Sequence, residues 1–218
     1  MKIRQSSIYV ILRYWSSSFV ILAAALLAQS SSFSQSVDGA ASESNPLGVI
    51  DALQSALIEA AAVPNLSLNE RFELLAPAII STHDLAYIAQ VAIRRQWDGL
   101  SADHSARYLS AFEQLSVMTY AARFDSVTSS SFELISAEDG ASGRAQVLTK
   151  ILTMDGDAIP MNYVLHRVDG EWKIINIIAD GVSDLALKRA EYRAVLNEGD
   201  IEDLIEELEK QVSALQAD

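Results

Sequence analysis

The sequence predicts an α+β fold: a four-stranded, curved antiparallel sheet wrapped by about six helices, enclosing a cone with an apolar pocket. Three observations predict it. The hydrophobic period is 3.6 up to about residue 124, becomes 2 from residue 131, and returns to 3.6 after residue 183. Asp169-Gly170 sits between two alternating apolar runs, Ile159 to Val168 and Glu171 to Ile178. That dipeptide is a strong hairpin signal, because a type I′ turn needs positive φ at both central residues. The first half of the chain also carries two helix starts, Asn45-Pro46 and the capping box Ser67 to Glu70.

The hairpin is the centre of the prediction. A two-residue loop pairs Val168 with Glu171, and counting onward puts Arg167 opposite Trp172, Leu165 opposite Ile174, Tyr163 opposite Asn176 and Met161 opposite Ile178. Directly opposed residues share a face, so these eight side chains lie on one side of the sheet. Two strands precede it, Ser131 to Ala137 and Arg144 to Thr153, joined by a turn at Glu138 to Gly143. Val147, Thr149 and Ile151 alternate with Gln146 and Lys150. A three-residue loop at Asp155-Gly156-Asp157 then sets Ile151 beside Met161 and Val147 beside Leu165, which keeps Lys150 off the apolar face. Ala179 to Ser183 reads as an exit turn, with Ser183 capping the next helix.

Helices account for the rest. Leu47, Ile50, Leu53, Leu57 and Ala61 recur at helical spacing up to Pro64. The second helix carries Phe72, Leu75 and Ile79, and Pro77 is expected to bend or end it. A third runs from Asp84 through Leu85, Ile88, Ala92 and Trp97 to the stop at Asp98-Gly99. Ser101 caps a long fourth helix with Tyr108, Phe112, Leu115 and Thr119 on one stripe. Two more follow, Ser183 to Leu196 and Asp200 to Leu215, the last with Leu204, Leu208 and Leu215 on its apolar side and a run of glutamates toward solvent.

The first 30 residues read as a targeting segment. Lys2, Arg4 and Arg13 precede an apolar run, Phe19 to Ala28, and Ala28-Gln29-Ser30 suits a signal peptidase. Ten apolar residues are too few to span a bilayer, which takes roughly 20; an uncleaved N-terminal anchor is the alternative. Residues 31–44 are Ser-rich and aperiodic and read as a disordered leader, and residues 45–218 as a single α+β domain. The expected fate is export. Cleavage removes 3 of the 16 basic residues and none of the 29 acidic ones, taking the net charge from −13 to −16. Such a chain is a poor partner for nucleic acid and for an anionic membrane surface. There is no cysteine, hence no disulfide, no thiolate nucleophile and no lipoprotein anchor.

Residues that carry chemistry are few. His83, His104 and His166 fall in different elements without ligand spacing, so no metal is expected. Asp139, Asp155, Asp169 and Asp180 each precede a glycine and read as turn residues. Asp180 ends a buried-looking strand, so it is also the carboxylate nearest to a site. Nucleophile-elbow, Walker A and dinucleotide motifs do not occur.

The run Arg94 to Phe124 holds an aromatic, a short turn, then a helix with spaced phenylalanines and a Thr-Tyr pair: Trp97, Phe112, Thr119, Tyr120, Phe124. A second run, Trp172 to Leu196, holds a tryptophan strand and the exit Asp180-Gly181-Val182-Ser183. In this order, and behind a targeting segment, these runs resemble the MlaC group, the toluene-tolerance or auxiliary phospholipid-transport proteins. The resemblance covers about Asn45 to Leu215; Asn176 and Gln96 depart from the pattern. It implies a soluble periplasmic shuttle carrying a diacyl phospholipid as cargo, without a cofactor. The partners would be an outer-membrane lipoprotein/porin complex and an inner-membrane MCE-type ABC transporter. A sister branch, HpnM-type, implies a hopanoid-associated lipid instead.

Such a carrier must bury acyl chains, at about 0.8 kcal/mol per CH₂ moved out of water. The candidate walls are Val147, Ile151, Met161, Tyr163, Leu165, Ile174 and Ile178 on the sheet, with Leu85, Ile88, Trp97, Phe112, Leu115 and Phe124 on the helices. Each of these types suits a packed core equally well, and a filled core would make the protein an adaptor. Cones of the NTF2-like kind also host small isomerases and dehydratases, with an Asp base and a Tyr acid inside. Tyr163 opposite Asn176 is the nearest such pair, and an asparagine is no base, so the expectation is a carrier and not an enzyme.

Overall fold

The computed structural model describes residues 45–123, 131–140, 143–152 and 158–217. The targeting segment, the leader and Phe124 lie outside the described residues. Helix α1 (Pro46–Ala62) begins at Asn45, whose Oδ1 accepts from Gly48 N at 2.6 Å. Helix α2 (Leu68–Thr82) begins with a complete capping box: Glu70 N donates to Ser67 Oγ, and Ser67 N to Glu70 Oε2. It runs through Pro77 to Thr82 instead of ending there. Pro77 is exposed, so the carbonyl it leaves unpaired one turn earlier can face water.

The predicted third helix is broken in two at Ile93: α3 (Leu85–Ala92), capped by Asp84 through Tyr87 N, and one turn, α4 (Arg94–Trp97). Helix α5 (Ala102–Arg123) starts at Ser101, whose Oγ accepts from His104 N. After the strands, Ser183 caps α6 (Asp184–Glu198), and α7 (Ile201–Ala217) closes the chain with Leu204, Ile205, Leu208 and Val212 buried. Seven helices are thus described where about six were expected.

The sheet has five strands in sequence order: β1 (Ser131–Gly140), β2 (Arg144–Leu152), β3 (Ala158–Val168), β4 (Glu171–Ala179) and β5 (Val182–Ser183). All neighbours are antiparallel. The extra strand arises at Asp180-Gly181, where φ is +48° and +78°; Asp169-Gly170 has +51° and +87°. Both dipeptides therefore make the same tight reversal, and the exit turn is a second hairpin.

Two registers differ from the sequence prediction. Val147 pairs with Tyr163 and Ile151 with Ile159, because Leu152 pairs with Ala158 and leaves five residues between the strands rather than three. The slide is by two residues, so every side chain keeps its face. In the second case parity is lost. Leu165 pairs with Ile174 as counted, but Val164 pairs with Asn176, Tyr163 with Ile177 and Met161 with Ala179. Ile175 is the extra residue of a bulge. Ile174 and Ile175 are both buried, and two consecutive inward side chains require such a break. Beyond it Asn176 and Ile178 turn to the reverse face, with Val164 and Asn162.

The apolar face of the sheet meets α1 across β1, β2 and β4, while α2, α3 and α6 lie on β4. Helix α5 packs behind them on α2, α3 and α7. The junction between α2 and α3 docks on the sheet itself: His83 forms a parallel bridge with Ile174, and Asp84 N donates to Ile174 O at 3.0 Å. β5 covers only Ile178 and Ala179, which leaves that stretch of the β4 edge open for His83-Asp84.

Candidate functional site

Alternation along the strands and the 3.6 period of α1 converge on one apolar interior. The sheet supplies Ala145, Val147, Thr149 and Ile151 from β2, Met161, Tyr163 and Leu165 from β3, and Ile174 and Ile175 from β4. Facing them, α1 supplies Ile50, Leu53, Gln54 and Leu57. Of the sequence-predicted wall residues, Leu85, Ile88, Phe112, Leu115, Val147, Ile151, Met161, Tyr163, Leu165 and Ile174 are buried in one continuous cluster. Trp97 packs against it half-buried. Ile178 does not join the face of Met161 and Tyr163; Ile177 and Ala179 take the places assigned to Asn176 and Ile178.

Two helical members, Trp97 and Phe112, also belong to an aromatic group. Trp97, Tyr108, Phe112 and Tyr192 form an aromatic group with ring centroids 6.2 to 6.5 Å apart, and Phe112 meets Tyr192 edge to face. Tyr108 donates its hydroxyl to Ala89 O, and burial raises its ionisation well above the ordinary range. This group reads as the joint between α4, α5 and α6.

No Asp, Glu, Lys or Arg is buried among the described residues. The polar side chains inside form two groups. In the first, His83 Nδ1 lies 3.0 Å from Ile79 O and 3.0 Å from Thr82 Oγ1, and Nε2 lies 2.9 Å from Tyr120 Oη. A carbonyl can only accept, so Nδ1 carries the proton and Nε2 accepts from the tyrosine. Burial lowers the His83 pKa to about 4, so the ring is neutral at pH 7. In the second group, Gln54 and Thr149 flank Tyr163. Burial pushes the Tyr163 phenol up, while the two neighbours oppose that push. Gln54 and Thr149 lie beside the phenol, and Gln54 Nε2 and Thr149 Oγ1 make no hydrogen bond of good geometry among the described residues.

The pair required by an isomerase is not brought together. Asn176 Oδ1 accepts from Ser183 Oγ and Leu185 N on the reverse face, pinning the start of α6. Asp180 is exposed at its turn. His166 Nε2 meets Asp84 Oδ2 at 2.7 Å, with the Tyr87 ring 4.7 Å from the imidazole, and this pair ties α3 to β3. Among the described residues no group of three or more His, Cys, Asp or Glu could hold a metal ion, and no helix is long and apolar enough to cross a membrane.

Sequence reasoning missed both polar groups, His83 with Tyr120 and Gln54 with Thr149. One signal was present: Gln54 interrupts the Ile50, Leu53, Leu57 stripe with an amide. The pairing of His83 with Tyr120 spans 37 residues and left no local sign.

The interior is apolar and, among the described residues, holds no Asp, Glu, Lys or Arg. The profile of the MlaC protein family matches residues 48–210. The chain belongs to the MlaC family. Its fold is similar to that of a phospholipid-binding protein from Ralstonia solanacearum solved in complex with a phospholipid, with a TM-score of 0.69 and 19% identity over 77% of this chain and 96% of the other. No curated protein matches.

Proposed function

We propose that this MlaC-family chain is a soluble periplasmic carrier of a diacyl phospholipid. It takes the lipid between an outer-membrane lipoprotein/porin complex and an inner-membrane MCE-type ABC transporter. The observation that carries the reading is the apolar interior, with no Asp, Glu, Lys or Arg buried among the described residues, set in a fold similar to that of a protein solved holding a phospholipid. Acyl chains enter such an interior favourably, whereas a charged metabolite would lose its hydration without gaining a partner. The proposed walls are the inward face of the sheet, Val147, Ile151, Met161, Tyr163, Leu165 and Ile174, together with Leu85 and Ile88 of α3. The positive n-region and short apolar run before Ala28 support export.

The test is organic extraction of protein purified from the periplasm, followed by lipid mass spectrometry and intact mass. About one diacyl phospholipid per chain is expected, by analogy with a fully enclosed ligand, on a protein cleaved between Ala28 and Ala41. Lipid-free protein that stays empty after incubation with phospholipid vesicles overturns the carrier. A full-length mass confined to the membrane fraction overturns the shuttle.

A further inference from the structure

Gln54, Thr149 and Tyr163 come from three elements, α1, β2 and β3, and meet inside the apolar interior. Thr149 pairs with Met161 and Tyr163 with Val147, so Thr149 and Tyr163 are diagonal neighbours on the inward face. Gln54 reaches them from the opposing helix. Thr149 is 2% exposed and Gln54 9%, yet Gln54 Nε2 and Thr149 Oγ1 have no hydrogen-bond partner among the described residues. An unpaired donor in a dry interior is unfavourable, and a fold under no other demand would carry leucine or valine there.

We infer that Gln54, Thr149 and Tyr163 form a binding site for a neutral acceptor oxygen of the lipid, an acyl ester carbonyl. The amide nitrogen can only donate, so what completes it is an acceptor. A phosphate oxygen is the wrong acceptor, because no Lys or Arg among the described residues is buried to balance its charge. A hydrocarbon chain offers no acceptor at all. The ester carbonyl is neutral, accepts two hydrogen bonds, and lies where the chains meet the glycerol. The inference rests on the carrier reading and adds a specificity to it: ester-linked lipids are held in preference to ether-linked ones.

The test uses the full chain, freed of lipid and titrated with two phosphatidylglycerols of equal chain length, one diacyl ester and one dialkyl ether. They share headgroup and hydrophobic area and differ in the carbonyls. The unsubstituted protein is expected to prefer the ester roughly tenfold, the equivalent of one to two neutral hydrogen bonds. Thr149→Val and Gln54→Leu are expected to bring the two affinities together by weakening the ester alone, and Thr149→Ser to restore the preference. Equal affinities in the unsubstituted protein overturn the inference and leave the carrier standing. A preference that survives in both well-folded variants, judged by circular dichroism, also overturns it, since the carbonyl would then be read elsewhere. Binding of neither lipid overturns the carrier reading itself. Should a variant fail to fold, the ester-against-ether comparison on the unsubstituted chain decides by itself.

Discussion

Two polar groups share one apolar core and are treated in opposite ways. Around His83 the ring bonds to Ile79 O, Thr82 and Tyr120, and the imidazole is neutral. Around Tyr163, Gln54 Nε2 and Thr149 Oγ1 point into the same kind of surroundings without partners. The first group joins α2, α5 and the β4 edge, and its geometry serves the fold. The second brings α1, β2 and β3 together but leaves two donors without a bond of good geometry. Burial alone therefore does not distinguish a structural polar residue from a functional one; completion of its hydrogen bonds does.

The contrast presupposes an interior intolerant of unpaired polarity. Leu165→Glu tests that first, since Leu165 is fully buried on the sheet face. A lone carboxylate there is expected to cost on the order of 3–5 kcal/mol, and urea denaturation with lipid analysis should show a destabilised or lipid-free chain. A stable, lipid-filled variant would mean the inward face is wrongly assigned.

His83→Leu comes next, with a loss of roughly 2–3 kcal/mol because the Ile79 and Tyr120 bonds go together. It also removes a pH dependence. His83 titrates near its ordinary value of 6.5 when unfolded and at about 4 when folded. Between those values the unfolded chain holds more protons, so stability rises with pH: the contribution is full above 6.5 and is lost as pH falls toward 4. Asp184 and Lys188 of α6 act on the ring in opposite directions, and burial dominates both. The native chain should lose roughly 2 kcal/mol between pH 7 and pH 5 that the leucine variant does not lose. Equal pH slopes in the two chains would place the ring in water and dissolve the contrast.

Thr149→Val should move the other way. Removing a hydroxyl that has no partner is expected to leave lipid-free stability unchanged or to raise it by up to about 1 kcal/mol. A loss as large as that of His83→Leu would show that Thr149 is structural after all. Asp180→Asn, outside both groups, gives the smallest effect, about 0.5 kcal/mol or less. Asparagine accepts the left-handed φ of +48° as readily as aspartate, and lipid content should be unchanged.

The elements were legible because their signals are local. Asn45, Ser67, Asp84, Ser101 and Ser183 all cap helices through their own side chains, and Asp169-Gly170 makes the expected reversal. The same dipeptide at Asp180-Gly181 carried an equal signal, but only two strand residues follow it, too few to show a period of 2. The face of each strand was legible as far as parity held. It failed at Ile175, where either isoleucine could have been the inward one and packing chose both. For the candidate site, ten of the apolar residues named as walls are buried in one cluster, a property that a packed core and a lined pocket share, whereas Ile178 leaves the face of Met161 and Tyr163 at that one bulge.

What the sequence by itself determined was the order and type of the elements, the inward parity of β2 and most of β3, and the family motifs around Trp97 and Asp180. Only the tertiary structure decided the β3–β4 bulge, the aromatic joint between α4, α5 and α6, the fully bonded state of His83 and the unpaired donors of Gln54 and Thr149. The reason is range. Caps and turns are set by φ/ψ and hydrogen bonds within four residues, which any chain displays in its sequence. Whether a buried amide finds a partner depends on side chains nearly a hundred residues away, and these meet only when helix and sheet close on each other.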